Sequence, residues 1–148
     1  MSRYFHKSHN VNLLLYHYVC PAKYRRIIFG SEVDEVLVQT CQEISMRYDF
    51  EVLEIGTDGD HVHFLIQGTP ALAPKTIAQV LKSITARRIY QLCPYVKRKL
   101  WGGELWSDGY FVSTVGEHGN EEQIRKYVQN QGKEYHRIYR KQTELFNF

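Results

Sequence analysis

Apolar and polar positions along this chain follow two periods, and the switches between them outline its elements. Val11 to Val19 reads as a strand. Ser31 to Tyr48 reads as a helix, followed by Phe50 to Thr57 and His61 to Gln67 as a hairpin around the turn signal Asp58, Gly59. A second helix, Lys75 to Leu92, starts after Pro74, repeats Ile77, Val80, Leu81, Ile84 and Ile89 near a period of 3.6, and ends before Pro94. Leu105, Trp106 and Tyr110 to Val115 supply a last strand or a bent pair. This β-α-β-β-α-β order predicts an α+β fold, ferredoxin-like or RNA-recognition-motif-like, with the helices on one face of an antiparallel sheet. With no internal repeat and 148 residues, a single domain over residues 1–148 is expected.

The run from His61 carries the first candidate chemistry. Alternate strand residues share a face, so His61, His63 and Leu65 point one way and Val62, Phe64 and Ile66 the other. The second set is expected to pack beneath the helices, leaving the two histidines on the open face. Paired histidines at a strand edge are often no more than exposed polar residues. Two neutral imidazoles at this spacing can also hold one divalent cation, given further ligands.

About 60 residues downstream, Asn120 to Gly132 reads as a helix. Asn120 suits the N-cap, Gln123 the capping-box position, Glu121 and Glu122 the first turn, and Gly132 the stop. Tyr127 and Gln131 are then neighbours one turn apart. Taken singly, the tyrosine reads as a core aromatic and the glutamine as a surface residue. Beside a histidine pair they become a possible nucleophile and a possible amide ligand.

The histidine, apolar, histidine triplet, followed by a helix with tyrosine and glutamine four residues apart, resembles the single-tyrosine HUH transposases of the insertion-sequence-200/605 type. The resemblance covers nearly the whole chain and extends to Tyr24, Arg25 and Arg26, to residues 100–115 (LWGGELWSDGYFVSTV) and to residues 124–131 (IRKYVQNQ). It implies that His61, His63 and Gln131 hold a metal and that Tyr127 is the nucleophile. The implied substrate is single-stranded DNA with small hairpins near the ends of a mobile element. The implied assembly is a homodimer in which the tyrosine helix of one subunit can complete the histidine site of the other. Domesticated relatives act on repeated palindromes in a chromosome, and the sequence does not separate the two. Replication initiators and relaxases share the chemistry, but the short chain carries no helicase domain. A non-catalytic single-stranded nucleic-acid-binding module would share the fold without needing these four side chains to converge.

Chemistry narrows the expected cofactor to Mg²⁺ or Mn²⁺. Mg²⁺ prefers oxygen ligands, whereas Mn²⁺ tolerates imidazole better. A phenol with an ordinary pKa of about 10 is a weak nucleophile at neutral pH without a nearby cation or base.

Composition fits a globular protein, at 43% apolar and 24% charged residues. The net charge of +3 is modest, but the basic residues cluster: Lys23, Arg25 and Arg26; Lys82, Arg87 and Arg88; Lys97, Arg98 and Lys99; Arg137, Arg140 and Lys141. Arg25, Arg26, Lys82 and Arg87 are the candidate DNA contacts among them. Tyr24, Tyr90, Tyr95, Trp101, Trp106, Tyr110 and Phe111 interleave with these clusters and could stack unpaired bases. Three cysteines without paired spacing point to reduced, buried thiols. Val11 to Val19 is too short to span a bilayer and residues 1–10 lack a signal-peptide pattern, so a cytoplasmic protein of a bacterium or archaeon is expected, with no membrane partner.

Overall fold

The computed structural model describes residues 5–7, 10–115 and 134–137. A small hairpin, β1 (Phe5–Lys7) and β2 (Asn10–Asn12), precedes β3 (Leu14–Pro21), a 3-10 turn (Lys23–Arg25) and α1 (Ser31–Arg47). Then come β4 (Glu51–Asp58), β5 (His61–Gly68), α2 (Pro74–Leu92), α3 (Pro94–Lys99), β6 (Phe111–Val115) and β7 (Glu134–Arg137). The main sheet runs β6-β3-β5-β4-β7 with every neighbouring pair antiparallel. Its first four strands and two long helices form the expected ferredoxin-like arrangement, with β3 and β5 at the centre.

Alternation decides which strand face meets the helices. Tyr16, Tyr18 and Cys20 of β3, Val52 and Ile55 of β4, and Val62, Phe64 and Ile66 of β5 share one cluster with Val33, Leu37, Cys41 and Ile44 of α1 and Ile77, Ala78, Leu81 and Ile89 of α2. Each large side chain fully buried this way stabilises the fold by roughly 1.5–3 kcal/mol. The buried Asp34 of α1 is tied to β4 by a 2.7 Å bond from the Thr57 hydroxyl. All three cysteines are free and buried, as anticipated.

Three features depart from expectation, and one selects between its two alternatives. The first predicted strand is broken near Leu13 into β2 and β3. Pro94 ends α2 but also opens α3, because a proline lacking its N–H costs nothing at the first helical position. The region from Leu105 to Val115 yields one strand, with Trp106 making only an isolated bridge to Ala22. The edge strand β7 was not anticipated; its register on β4 pairs Glu54 with Arg137 and Gly56 with Tyr135.

Two glycines are required where they stand. Gly59 turns the β4–β5 hairpin with φ +55°, a region open to glycine at little cost. At Gly68 an added Cβ would lie 2.7 Å from the Tyr16 ring. Among the described residues, no helix is long and apolar enough to cross a membrane.

Candidate active site

The tight β4–β5 turn delivers His61 and His63 at the start of β5, with ring centroids 5.0 Å apart and planes at 73°. Both stand on the face opposite the helices, as alternation requires. That face is not open, however. His63 is only 4% exposed, and Leu15, Leu53 and Leu65 form a second buried cluster on the same side with Leu13 and Val115 packed against it. The expectation of an open histidine face fails, because the strands' own side chains on this side, Leu15, Leu53 and Leu65, are buried together with His63.

Each imidazole has its Nδ1 engaged. His61 Nδ1 lies 2.7 Å from Asp60 Oδ1, and a carboxylate can only accept, so Nδ1 carries the proton. The other oxygen, Oδ2, accepts from Arg25 Nε at 3.1 Å. The bond from His61 holds the Asp60 carboxyl below its usual range; burial opposes it, and the bond and charge of Arg25 add to the lowering. On the other histidine, Nδ1 of His63 lies 2.9 Å from Nε2 of the buried His17, and the two rings stack at 5.1 Å with 11° between their planes. Burial, followed by the neighbouring His17 and His61, pushes His63 down to about 4, which keeps it neutral at physiological pH. Burial also lowers His17.

The atoms left over are the two Nε2 positions. Among the described residues, nothing hydrogen-bonds the buried Nε2 of His63. A buried nitrogen of a neutral imidazole without a donor nearby costs desolvation energy unless something accepts its lone pair or proton. Metal-binding histidines show this pattern, one ring nitrogen held by a carboxylate or other acceptor and the second presented to the ion. The donor set therefore fits a divalent metal. It is not complete within the described residues, where no three His, Cys, Asp or Glu side chains gather as ligands. Tyr127 and Gln131, expected to complete the site, lie outside the described residues.

Sequence reasoning missed His17 and Asp60. Asp60 was visible as part of the turn, but its bond to the next residue's ring depends on turn geometry. His17 sits two positions from Val19, the residue paired with His63, so it is a diagonal cross-strand neighbour. Only the register of β3 on β5 reveals it.

The expected DNA contacts divide. Lys82 reaches the carbonyls of Ser107, Asp108 and Gly109 at 2.7, 3.3 and 3.5 Å and so anchors that loop. Arg87 is exposed and lines a groove of about 870 Å³ with Lys75, Gln79, Tyr90 and Lys97. Arg25 holds Asp60. Arg26 lies over the Trp101 ring at 4.6 Å. A groove of similar size between α1 and the β4–β5 turn is lined by Asp34, Glu35, Asp58 and Asp60, a charge pattern that repels phosphates.

Comparison with known proteins identifies the family. Residues 10–131 match the family model described as transposase, IS200-like. The chain is 36% identical over 118 residues to the ISDra2 transposase TnpA of Deinococcus radiodurans, covering 80% of this chain and 84% of that protein. It is 31% identical over 120 residues to the transposase for insertion sequence element IS200 of Salmonella typhimurium, covering 78% and 75%. A crystal structure from Deinococcus radiodurans, assigned as a transposase, superposes with a TM-score of 0.69 at 32% identity, covering 86% of this chain and 98% of that one. The fold also matches a REP-associated tyrosine transposase solved with a REP hairpin, at a TM-score of 0.53 and 11% identity, over 86% and 68% of the two chains.

Proposed function

The chain belongs to the family of IS200-like transposases, enzymes that cut and rejoin DNA, and we propose that it does so on single strands through a covalent link to Tyr127. The observation that carries this reading is the histidine pair. Asp60 and His17 occupy the two Nδ1 atoms, and among the described residues the buried Nε2 of His63 has no partner, which leaves it for a ligand.

In this reading, His61, His63 and Gln131 hold Mg²⁺ or Mn²⁺, which when bound polarises the scissile phosphate and orients it. Asp60 fixes the tautomer of His61. For His63 to present a lone pair at Nε2, its Nδ1 donates to Nε2 of His17, which then acts as acceptor. The phenolic oxygen of Tyr127 attacks phosphorus, the bond from phosphorus to the 3'-oxygen breaks, and the phenolic proton is balanced by the proton that the 3'-oxygen takes up. The products are a 5'-phosphotyrosine and a free 3'-hydroxyl. The ester keeps the energy of the broken bond, so a second 3'-hydroxyl can reverse the step on a new strand without a nucleoside triphosphate.

The groove lined by Lys75, Arg87, Tyr90 and Lys97 suits the phosphates of a hairpin stem, and a homodimer with shared sites would place Tyr127 of one subunit over the histidines of the other. Incubation with an end-labelled single strand and Mn²⁺, then a denaturing gel, tests the reading. A protein-sized labelled band is expected; binding without any adduct would instead fit a non-catalytic module.

A further inference from the structure

Three non-glycine residues in the described chain have left-handed backbone, and they meet in one place: Tyr24 at φ 59°, Arg25 at φ 52° and Trp101 at φ 54°. L side chains visit this region seldom, so its use needs a reason. At Trp101 the cap of a helix requires the conformation, but not a tryptophan. The N–H of Gly102 bonds the carbonyl of Lys97 at 2.8 Å and that of Trp101 bonds the carbonyl of Arg98 at 3.1 Å. This pair of bonds is a Schellman cap ending α3, and Trp101 stands at the position that normally takes glycine. The glycine follows one residue later.

Neither ring is there to fill the core. Trp101 is 69% exposed and Tyr24 63% exposed, yet they meet edge to face with centroids 5.4 Å apart, and the Arg26 guanidinium covers the indole at 4.6 Å. The turn bearing Tyr24 is fastened on both sides. Lys23 N–H bonds the Leu105 carbonyl at 2.8 Å and Ala22 N–H bonds the Asp60 carbonyl at 2.8 Å. The nearby charges are mainly basic, with Arg26 on the ring and Lys97, Arg98 and Lys99 in the last turn of α3; Glu104 and Asp108 are paired with Lys23.

We infer that Trp101, Tyr24 and Arg26 form a stacking site for one unpaired base of a DNA strand running between the basic groove and the histidines. Position supports it at both ends. Gly102 and Gly103, next to Trp101, line the groove that holds Arg87, and Tyr90 of that groove donates to the Gly103 carbonyl at 2.6 Å. Arg25, next to Tyr24, reaches Asp60, which holds His61. A base on this platform would sit beside the strand segment nearest the site of cleavage. Flat faces stack every base, so the site would favour unpaired over paired DNA without fixing a sequence.

The inference rests on the chain acting on single-stranded DNA, but not on Tyr127 or the metal, so it is tested by binding in EDTA. Trp101→Gly is the informative variant because glycine improves the cap. Its Tm should equal or exceed that of the wild type, its affinity for a mixed-sequence single strand should fall about tenfold, and its affinity for the matching duplex should not change. Single strand should also quench the wild-type tryptophan emission, and the exposed indole of Trp101 should account for that quenching because the other tryptophan, Trp106, is buried and bonded to Thr85. A fall in Tm in step with the fall in affinity would make Trp101 a packing residue and overturn the inference. So would equal losses for single strand and duplex, or saturation by single strand without quenching.

Discussion

His17 stacks on His63 with their nitrogens 2.9 Å apart, so the ring that presents one candidate metal donor is oriented by a second buried imidazole from the neighbouring strand. His17→Ala should loosen that orientation and lower metal affinity about 10- to 100-fold, the range for loss of a partner that orients a ligand. His17→Gln, which keeps an acceptor near Nδ1 of His63, should recover part of it. Calorimetric titration with Mn²⁺ measures both, and equal affinity in all three proteins would remove His17 from the site.

The proposed ligands should behave more severely. His61→Ala, His63→Ala and Gln131→Ala are each expected to cut cleavage roughly a hundredfold or more, since a lost Lewis acid costs several kcal/mol of barrier. EDTA should abolish wild-type cleavage, and added Mn²⁺ should restore it. If the histidines only pack, the variants would lower Tm and leave the metal response unchanged.

The sequence made the central strands and the histidine pair readable because both depend on a period of two that local residue order imposes. The turn at Asp58 and Gly59, the apolar face of Val62, Phe64 and Ile66, and the helix after Pro74 follow from local rules, and each stands as expected. What depended on pairing between distant segments was not readable. The contact of His17 with His63 needs the β3–β5 register, the edge strand β7 needs a partner more than 70 residues away, and the capture of Lys82 by three carbonyls needs the path of the 107–109 loop. The left-handed Trp101 was likewise hidden, because a tryptophan before Gly102 gives no sign of which residue takes the positive φ.

Charge should govern binding. Affinity for a hairpin-bearing single strand should fall steeply with salt, and Arg87→Ala should reduce the slope of log affinity against log salt by about 0.9, the value of one duplex phosphate contact in the hairpin stem. Arg26→Ala should weaken single-strand binding more than duplex binding. A salt-independent affinity measured by fluorescence anisotropy would place DNA elsewhere on the protein.

Shared sites in a dimer make a distinctive prediction for mixed subunits. His61→Ala retains Tyr127 and Gln131, and Tyr127→Phe retains both histidines. Coexpressed and purified as a doubly tagged heterodimer, the two should form one working site if the tyrosine helix crosses between subunits, and cleavage should return to about half the wild-type level per dimer, as one working site of two implies. Heterodimers that form no adduct would show that each site is built within one chain.

The most direct measurement is the identity of the residue that carries DNA. The wild-type protein, trapped with a single strand in Mn²⁺ and digested with protease and nuclease, should yield by mass spectrometry a peptide with nucleotide phosphate on Tyr127. Tyr127→Phe should yield none while binding the strand as tightly as the wild type and losing under about 1 kcal/mol of stability. Nucleotide attached to any other residue, or adduct formed by Tyr127→Phe at the wild-type rate, would contradict the account.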